Sequence, residues 1–343
     1  MSVKVKYLED SHAEAWDAYV ARHKHGTFFH LSGWRSVLER AFGHKGHCLF
    51  AEQGDDIVGV LPLVQVKSLL FGNSLSSMPF CVYGGIVADD DAAALALRRS
   101  ACELAERLQV DALELRNRER SDSGWPVKEL YYTFRKDIDA DEEANLKAIP
   151  NRQRAMVRKG IKEGLQSDWY DGVHRMYEVY AESVRNLGTP VFSRRYMDIL
   201  RQEFGDACSV LMITHEGRDV AGVLNFYFRD EVIPYYGGST GFSRSLKGVN
   251  HFMYWELMRR SAEQGYRVFD FGRSKSGTGP FSFKKNFGFE PVALPYEYYL
   301  VRSSQVPDVN PLNPKYRAMV NTWSRLPLPL ANRLGPLLAR SLG

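Results

Sequence analysis

The chain has 343 residues, of which 44% are hydrophobic and 25% charged, with a formal net charge of +4. This length is enough for two domains with full cores, and the composition is that of a globular protein. The small charge excess gives no whole-chain argument for nucleic-acid binding, so only local clusters of charge bear on that question.

The sequence also limits where the protein can be located and which metal or disulfide chemistry it can use. The N-terminal stretch MSVKVKYLEDSH lacks the apolar core of a signal peptide, and no stretch approaches the roughly 18 apolar residues needed to span a bilayer. The four cysteines show no CxxC spacing and the histidines no HExxH pattern, so the cysteines are predicted to be small core residues. We therefore expect a cytoplasmic protein with no metal and no cofactor.

An internal repeat is the main organisational signal. Its features recur in the same order, and the first two recur 162 residues later. The paired segments are Gly26-Thr27 and Gly188-Thr189, Phe42-Gly43 and Phe204-Gly205, the turns at Gly54 and Gly217, and Tyr83-Gly84-Gly85 and Tyr236-Gly237-Gly238. Each Tyr-Gly-Gly precedes a helical pattern and then an apolar strand. The pattern predicts a tandem duplication of one α/β (α+β) unit, with a mixed sheet flanked by helices.

A charged connector lies between the two copies. It is acidic over 137–143 and basic over 147–162, and Pro150 and Gly164 are suited to start and end its second helix. The predicted domains are 1–140, then 141–303 with the basic connector at its start, and then a Pro/Leu/Arg-rich tail over 304–343. We expect Arg158 and Lys159 to contact RNA or another polyanion, and a solvated helix face is the alternative.

The stretch 269–291, FDFGRSKSGTGPFSFKKNFGFEP, predicts a strand, a Gly/Ser/Lys loop, a short aromatic helix and a turn into another strand. Four cations surround the loop, and no acid lies between Asp270 and Glu290. The cations are Arg273, Lys275, Lys284 and Lys285. A flexible loop edged by cations at a strand end is typical of sites that hold phosphate or a developing oxyanion. A solvated surface loop is the alternative interpretation.

These segments together resemble the FemAB family. The resemblance covers nearly all of 20–300 and depends on NRQRAMVRKGIKEGL, SRRYMDIL, VAGVLNFYF, YYGGST, KGVNHFMYWELMRR and DFGRSKSGTGPFSFKKNFGFEP. It implies two tandem domains of the acetyltransferase (GNAT) fold and an aminoacyl or peptidyl transferase. GTFFH, VKSLLFG, VYGG, NLKAIP, QRAMVRKGI and ESVRNLGTPVFS resemble the FemAB-related subfamily associated with the exosortase/PEP-CTERM system, which implies a role in exopolysaccharide or outer-surface assembly.

The resemblance implies that an amine attacks an activated ester, such as aminoacyl-tRNA, and an amide forms. Lys284 matches the family's lysine near the reacting carbonyl, where it would stabilise the oxyanion or the leaving 3′-oxygen, and Asp270 is the second catalytic candidate. The substrate-binding candidates are Lys285, Arg273, Arg194, Arg195, Tyr196, Tyr235, Tyr236, Arg158, Lys159 and Asn250.

Several of these candidates have a structural alternative. Arg194, Arg195 and Tyr196 stand where the family contacts an acceptor phosphate, but Ser193 is equally suited to cap a helix there. Tyr235 and Tyr236 are expected to edge a cleft, and a β-bulge is the alternative. In the first copy, residues 89–91 would receive a proton or cap the next helix, and we favour capping.

The donor is expected to be aminoacyl-tRNA or acyl-CoA. Segment 244–250 has one glycine and lacks the [R/Q]xxGx[G/A] pattern that precedes the pyrophosphate-binding helix of acetyl-CoA enzymes. The preferred function is a FemAB-like N-acyl or aminoacyl transferase acting on an amine of a cell-envelope precursor (peptidoglycan-like or exopolysaccharide), which would be lipid-linked as in the relatives. The alternatives are an acyl-CoA-dependent N-acyltransferase on an amino sugar and a non-catalytic assembly factor.

The tail predicts a short amphipathic helix. Leu330, Leu334, Leu337 and Leu338 have helical spacing, and prolines interrupt the pattern. Two outcomes are expected: the leucines pack against the body, or a basic helix lies on the inner membrane surface as a peripheral contact.

Overall fold

The computed structural model describes residues 2–68, 72–307 and 320–341. The described residues form two compact units. The first unit contains 2–131, 293–307 and 340–341, and the second contains 132–292 and 320–339. Among these residues, no helix combines the length and apolar character needed to cross a membrane.

The first unit contains three helices, which are α1 (Ala13–Arg22), α2 (Gly33–Phe42) and α3 (Asp91–Arg107). Its strands are β1 (Lys4–Tyr7), β2 (Lys45–Gly46), β3 (Leu49–Gln53), β4 (Asp56–Leu61), β5 (Val64–Ser68), β6 (Gly72–Ser76), β7 (Val87–Ala88) and β8 (Ala112–Arg116). One sheet has the order β1-β3-β4-β7, and β8, β6, β5 and β2 follow one another in a second sheet. The core is built from β3, β4, β8 and the apolar face of α3, where Leu97, Ala101 and Leu104 are buried.

The strands that lie wholly or partly in the second unit are β9 (Val127–Asp137), β10 (Gln166–Trp169), β11 (Cys208–His215), β12 (Arg218–Phe228), β13 (Glu231–Ser239), β14 (Val268–Asp270) and β15 (Ser274–Lys275). Its helices are α4 (Glu142–Ala148), α5 (Asn151–Lys162), α6 (His174–Asn186), α7 (Arg194–Phe204), α8 (Val249–Glu263), α9 (Gly279–Asn286) and α10 (Leu328–Ala339). The sheet order is β10-β11-β12-β13-β14-β9. The last strand, β16 (Pro291–Leu300), starts in the second unit and continues in the first.

The two units repeat the same pairing. In the first unit β1 pairs antiparallel with β3, with Lys4 opposite Glu52, and in the second β10 pairs with β11, with Gln166 opposite Thr214. Both residues of the second pair lie 162 positions after their counterparts. The register shift in each following hairpin, between Ala51 and Glu52 and between Ile213 and Thr214, has the same offset. The predicted tandem α/β unit is therefore confirmed.

The predicted mixed sheet flanked by helices is also confirmed. The pairs β6–β8 and β13–β14 are parallel, and the other pairs with a defined register are antiparallel. Parallel neighbours need a long crossover, and α3 and α8 provide it in the two units.

The compact units divide the chain at places that differ from the predicted boundaries of 140 and 303. Residues 132–137 of β9 belong to the second unit, where Asp137, Lys136 and Arg135 pair with β14. Most of β16 belongs to the first unit: Tyr296 donates from its hydroxyl to the Val82 carbonyl (2.5 Å), and Glu297 accepts from the hydroxyl of Ser123 (2.7 Å). The chain thus crosses between units inside strands, which hydrophobic periodicity alone does not mark.

Candidate active site

A cleft forms in the second unit at the point where β14 ends and its parallel neighbour β13 continues. The register runs from Glu231 opposite Val268 to Val232 opposite Phe269. β14 then ends at Asp270, while β13 continues to Ser239. Beyond this point β13 is no longer paired with β14, and the end of strand pairing is a place where a ligand can approach a sheet edge. We call this place, bounded by 233–239 and the loop 271–273, the strand-end cleft.

The Tyr-Gly-Gly of β13 follows a β-bulge. The register on β12 shifts between Leu224 and Asn225, which makes Tyr235 the extra residue on β13. The next residue, Tyr236, is buried, and its hydroxyl lies 2.9 Å from that of Tyr196. Tyr196 is itself fully buried and does not share the exposed surface of its neighbours Arg194 and Arg195. The bulge suggested as the alternative for Tyr-Gly-Gly is thus present.

Three buried or half-buried charges hold the loop at the end of β14, and we call them the loop anchor: Asp270, Arg135 and Lys284. Asp270 is 1% exposed, and its Oδ1 accepts from the backbone N–H of Gly272 at 2.8 Å. Its Oδ2 lies 3.4 Å from Nε of Arg135. Lys284, on α9, donates from Nζ to the carbonyls of Phe271 (2.6 Å), Gly272 (3.1 Å) and Arg273 (3.2 Å).

The surroundings of Lys284 explain its electrostatics. Its Nζ lies 5.5 Å from the ring centres of both Phe134 and Phe271, so little water reaches the amine. Burial lowers the pKa of Lys284 to about 7, and the charge of Asp270 acts in the opposite direction. Both protonation states are therefore accessible near neutral pH.

In this structure Lys284 is directed at the loop that ends β14, and its role at the oxyanion stays a prediction. An ammonium group has three N–H donors, and all three point at loop carbonyls here. Asp270, the second catalytic candidate, is buried and directed at the Gly272 N–H. Both residues hold the loop, and neither faces open space in the cleft.

Two polar rings on α8 were not among the sequence candidates: Tyr254 lies beside the strand-end cleft, and His251 packs against Phe283 and Phe287. Tyr254 packs against Phe271 with ring centres 4.6 Å apart, and a Cβ on Gly237 would lie 3.1 Å from its hydroxyl. His251 lies one turn earlier and, like Tyr254, contacts Phe283. Within the described part of the chain, neither ring has a hydrogen-bond partner, so both polar ends are available to a substrate.

Burial sets the protonation states of these two rings. It raises the pKa of Tyr254 to about 12, so the phenol remains a proton donor at neutral pH. It lowers the pKa of His251 below the ordinary value of 6.5, so the imidazole remains neutral and can accept a proton. The sequence signal was their helical i, i+3 spacing in HFMYW, immediately after the glycine that starts the helix.

The first turn of α8 is covered by the basic helix α5. Gly248, the N-cap residue of α8, has φ +76°, and a Cβ there would lie 2.1 Å from the carbonyl oxygen of Met156. On α5, a Cβ on Gly160 would lie 2.8 Å from Cβ of Phe252. The two glycines therefore permit close backbone contact between α5 and the start of α8.

The predicted cationic contacts occupy exposed positions in the second unit. Arg158 and Lys159 are exposed on α5, Lys285 is exposed on the last turn of α9, and Asn250 is exposed on the first turn of α8. Arg273 is half-buried in the loop, and Tyr235 is half-buried with its ring 5.2 Å from that of Phe226.

Helix capping was predicted at two places, and both caps are present. The Ser193 hydroxyl accepts from the backbone N–H of Tyr196 at 3.2 Å, so the alternative given for this segment is confirmed. In the first unit, Asp90 caps α3 by accepting from the Ala93 N–H at 2.8 Å, as we favoured. Arg194 is exposed beside its cap, and its Nη1 lies 3.3 Å from Nδ1 of His174.

The first unit holds a separate cavity of about 630 Å³ around the start of α3. Side chains of both charges line it, including Asp89, Asp91, Arg98, Arg118 and Arg120. His30 forms part of the wall, with Nε2 3.0 Å from the Gly85 carbonyl oxygen and Nδ1 2.8 Å from the Thr27 hydroxyl. Burial lowers the pKa of His30 to about 4, so the ring is neutral. The sequence repeat did not indicate this cavity.

Comparison with known proteins identifies the domain type. Residues 151–285 match the family model described as Acetyltransferase (GNAT) domain. None of the curated proteins compared matches the chain. The matched segment contains α5, β13, α8, the loop anchor residues Asp270 and Lys284, and most of α9, and so supports an acyltransferase.

Solved structures share the fold over most of the chain. FemX superposes with a TM-score of 0.70 at 16% identity, over 87% of this chain and 98% of FemX. L-PGS from Bacillus licheniformis gives 0.55 at 15% identity, over 91% and 97% of the two chains. A tandem GNAT protein from the clavulanic acid biosynthesis pathway gives 0.55 at 12%, over 89% and 100%. At these identities the likeness establishes the fold, which is the predicted tandem GNAT-like fold.

Proposed function

We propose that this chain is a FemAB-like aminoacyl transferase that forms an amide on an amine-bearing cell-envelope or exopolysaccharide precursor. The observation that supports the proposal is the strand-end cleft within the matched acetyltransferase domain, where the protonated phenol of Tyr254 lies beside Gly237, and the neutral imidazole of His251 lies one turn earlier on the same helix. Acyl transfer to an amine requires one group that takes a proton and one that gives a proton, and we assign these roles to His251 and Tyr254.

The reaction follows from these two groups. The acceptor nitrogen attacks the ester carbonyl carbon of the donor, and His251 takes the proton that the nitrogen loses. Tyr254 donates its hydrogen bond to the developing oxyanion, since hydrogen-bond donors are worth most where charge appears in the transition state. The C–O bond then breaks, Tyr254 protonates the leaving oxygen, and a proton transfer from His251 to Tyr254 through solvent restores the site.

The loop anchor acts as a positioning device in this mechanism. Lys284 and Asp270 hold the backbone of 271–273, which forms one border of the cleft. If Lys284 lost its proton, the amine would keep two N–H donors, and one carbonyl bond would be lost. Fixing the loop keeps the reacting groups aligned, which is a substantial part of catalysis of bimolecular reactions.

The packing of α5 on α8 favours aminoacyl-tRNA over acyl-CoA as the donor. The start of α8 is the kind of helix end that binds pyrophosphate in acetyl-CoA enzymes, and here the backbone of α5 at Met156 lies close to its N-cap residue Gly248, which leaves less room for that group. The exposed face of α5 instead presents Arg152, Arg158, Lys159 and Lys162 to solvent. Such a cluster suits the phosphates of an RNA backbone.

The first-unit cavity is a separate binding site in this proposal. Its acidic residues, Asp89 and Asp91, suit a cationic group, and its arginines, Arg118 and Arg120, suit an anionic group of the same ligand. The narrower role in exopolysaccharide assembly, suggested by the resemblance to the exosortase-associated subfamily, remains part of this proposal.

The donor is tested by binding. Purified full-length protein is offered charged tRNA and acetyl-CoA in turn, and retained ligand is identified by mass spectrometry. We expect tRNA binding that weakens steeply with salt as phosphate counterions are released. Arg158→Glu with Lys159→Glu should weaken it at least about tenfold, since two phosphate contacts become repulsive.

The matched control is Arg99→Glu with Arg302→Glu, which changes the net charge equally at two exposed positions of the first unit. It should bind tRNA like the wild type. Retention of acyl-CoA with no tRNA binding, or tRNA binding that ignores both salt and the α5 substitutions, would contradict the donor assignment.

A further inference from the structure

The outer face of α10 carries exposed leucines. Leu330, Leu334 and Leu337 are 42%, 38% and 61% exposed, and their i, i+4, i+7 spacing places them on one stripe of the helix. Large apolar side chains in a row on a short surface helix are unusual unless something covers them. The predicted packing of these leucines against the body is therefore wrong for the exposed three.

A different face of α10 attaches it to the second unit. Ala331, Gly335 and Ala339 are buried at i, i+4, i+8 spacing. A Cβ on Gly335 would lie 2.8 Å from the carbonyl oxygen and 2.9 Å from the nitrogen of Val191, so the helix backbone lies directly on that segment. Small residues thus face the protein and leucines face away, which fixes the direction in which the apolar stripe points.

The residues before α10 hold the same end of the chain against the second unit. Trp323 is 6% exposed, and the Ser324 carbonyl accepts from Nη1 of Arg185 at 3.3 Å. A Cβ on Gly188 would lie 2.4 Å from Cγ1 of Val320. The preceding residue, Leu187, is 68% exposed and is the most exposed large apolar side chain among the described residues. The leucine stripe is therefore presented by a docked helix and not by a loose end.

The charge around the stripe has one sign. After Asp308 the sequence contains no acidic residue, and its five cations are Lys315, Arg317, Arg325, Arg333 and Arg340. Arg333 and Arg340 are exposed, and each follows a stripe leucine by three residues, which places them along one flank of the stripe. Lys315 and Arg317 lie outside the described residues.

We propose that this face of α10 docks on the surface of a membrane rich in anionic lipids. The leucines would enter the boundary between headgroups and acyl chains, and the arginines would contact lipid phosphates, as in other interfacial amphipathic helices. A protein partner would need acids placed to match Arg333 and Arg340, whereas an anionic bilayer supplies negative charge everywhere along the helix. Three leucines on a 12-residue helix give weak, reversible binding.

The test is co-sedimentation of the full-length protein with vesicles. Vesicles of phosphatidylglycerol and phosphatidylethanolamine are compared with vesicles of phosphatidylcholine at low and at physiological salt. We expect binding to the anionic vesicles that decreases with salt, and little binding to phosphatidylcholine. Leu330→Ser with Leu334→Ser and Leu337→Ser should lower the partition coefficient at least about tenfold.

Two further variants separate the contributions. Arg333→Gln with Arg340→Gln should lower binding to the anionic vesicles several-fold and reduce its salt dependence. The matched control replaces three scattered exposed apolar residues, Tyr7, Leu95 and Val292, by Ser, and should bind like the wild type. All variants are checked for native circular dichroism.

Three results would overturn the proposal. The first is wild-type protein that stays in the supernatant with anionic vesicles at low salt. The second is an α10 serine variant that binds as well as the wild type. The third is a wild-type dimer in sedimentation velocity that the serine variant converts to a monomer without any vesicle binding, because the stripe would then be an interface between two copies.

Discussion

At the residue scale, Lys284 combines a set of hydrogen bonds to the loop with a buried charge. Its ammonium group satisfies three carbonyls, yet burial between two phenylalanine rings lowers its pKa to about 7. A group whose pKa is lower in the folded than in the unfolded chain destabilises the folded state at low pH, and this cost is relieved as the pH rises. The protonation state of Lys284 therefore links the hydrogen bonds of the loop, and the stability of the folded chain, to pH.

The first prediction at this scale compares the wild type with Lys284→Met. Between about pH 7 and the ordinary lysine value of 10.5, the unfolded chain binds more protons than the folded chain. The free energy of unfolding of the wild type, measured relative to Lys284→Met, should therefore rise across this range. Urea unfolding at several pH values measures the difference.

Lys285→Met is the control for this experiment. Lys285 is the next residue on α9 and is exposed, so its loss removes the same charge without removing a buried amine. Its stability should follow the pH dependence of the wild type. If the free energy of unfolding has the same pH dependence in the wild type and in Lys284→Met from pH 7 to 10, the pKa of Lys284 is not lowered in the folded chain.

The sequence predicted a loop over 272–280 edged by cations, and the structure adds which groups Lys284 contacts. The spacing in FSFKKNFG identifies a lysine on a short helix, whereas its direction depends on how α9 packs against the end of β14. Tyr254 and His251 were missed for a related reason. An aromatic residue at helical spacing looks like core, and only the fold shows that β14 ends short of Gly237 and that the Tyr254 hydroxyl lies beside this glycine.

At the scale of elements, the contact between α5 and α8 affects both the first turn of α8 and the direction of the basic face of α5. It covers the first turn of α8 and orients the basic face of α5 toward solvent. Its closeness depends on glycines, because any side chain at Gly160 meets Phe252 or the Gly248 backbone. The sequence predicted α5 with its proline start, but it gave no sign of the helix against which α5 packs.

The prediction at this scale is that Gly160→Ala destabilises the protein by about 1–3 kcal/mol, the usual cost of overpacking. The added Cβ would lie 2.8 Å from Cβ of Phe252, so the helices must move apart. Thermal or urea unfolding measures the change. Gly160 is at ordinary backbone angles, so the cost reports packing and not backbone strain.

Gly279→Ala is the matched control. A Cβ on Gly279, the first residue of α9, meets no atom within 4 Å. Alanine there should leave stability unchanged or raise it slightly, since it restricts the unfolded chain. Equal stability of Gly160→Ala and Gly279→Ala would mean that α5 and α8 are not in close backbone contact.

At the scale of the whole molecule, the duplication was the most predictable property. Repeated Gly-Thr and Phe-Gly signals 162 residues apart, followed by Tyr-Gly-Gly in both copies, mark turns and helix ends, and the strand registers repeat at the 162-residue offset. The unit boundaries were less predictable, because β9 and β16 each cross from one unit to the other without a break in their strand pattern. The first-unit cavity was not predictable, since its walls come from segments distant in sequence.

The proposed activity depends on all three: the fold supplies the cleft, α5 supplies the cationic surface, and Tyr254 and His251 carry out the proton transfers. Its most direct test is a transfer assay with full-length protein, amine-bearing envelope precursors, and either radiolabelled aminoacyl-tRNA or labelled acetyl-CoA. Products are identified by mass spectrometry as amides that carry one added acyl group. Tyr254→Phe, which removes only the hydroxyl, is assayed beside the wild type.

We predict that the wild type transfers label from aminoacyl-tRNA to an amine. Tyr254→Phe should lower the rate at least about a hundredfold, as expected for the loss of one oxyanion donor, while its circular dichroism is unchanged. Transfer from acetyl-CoA alone would contradict the donor assignment. A Tyr254→Phe rate within about threefold of the wild type would remove the hydroxyl from the chemistry. No consumption of either donor by the folded wild type would contradict the central claim.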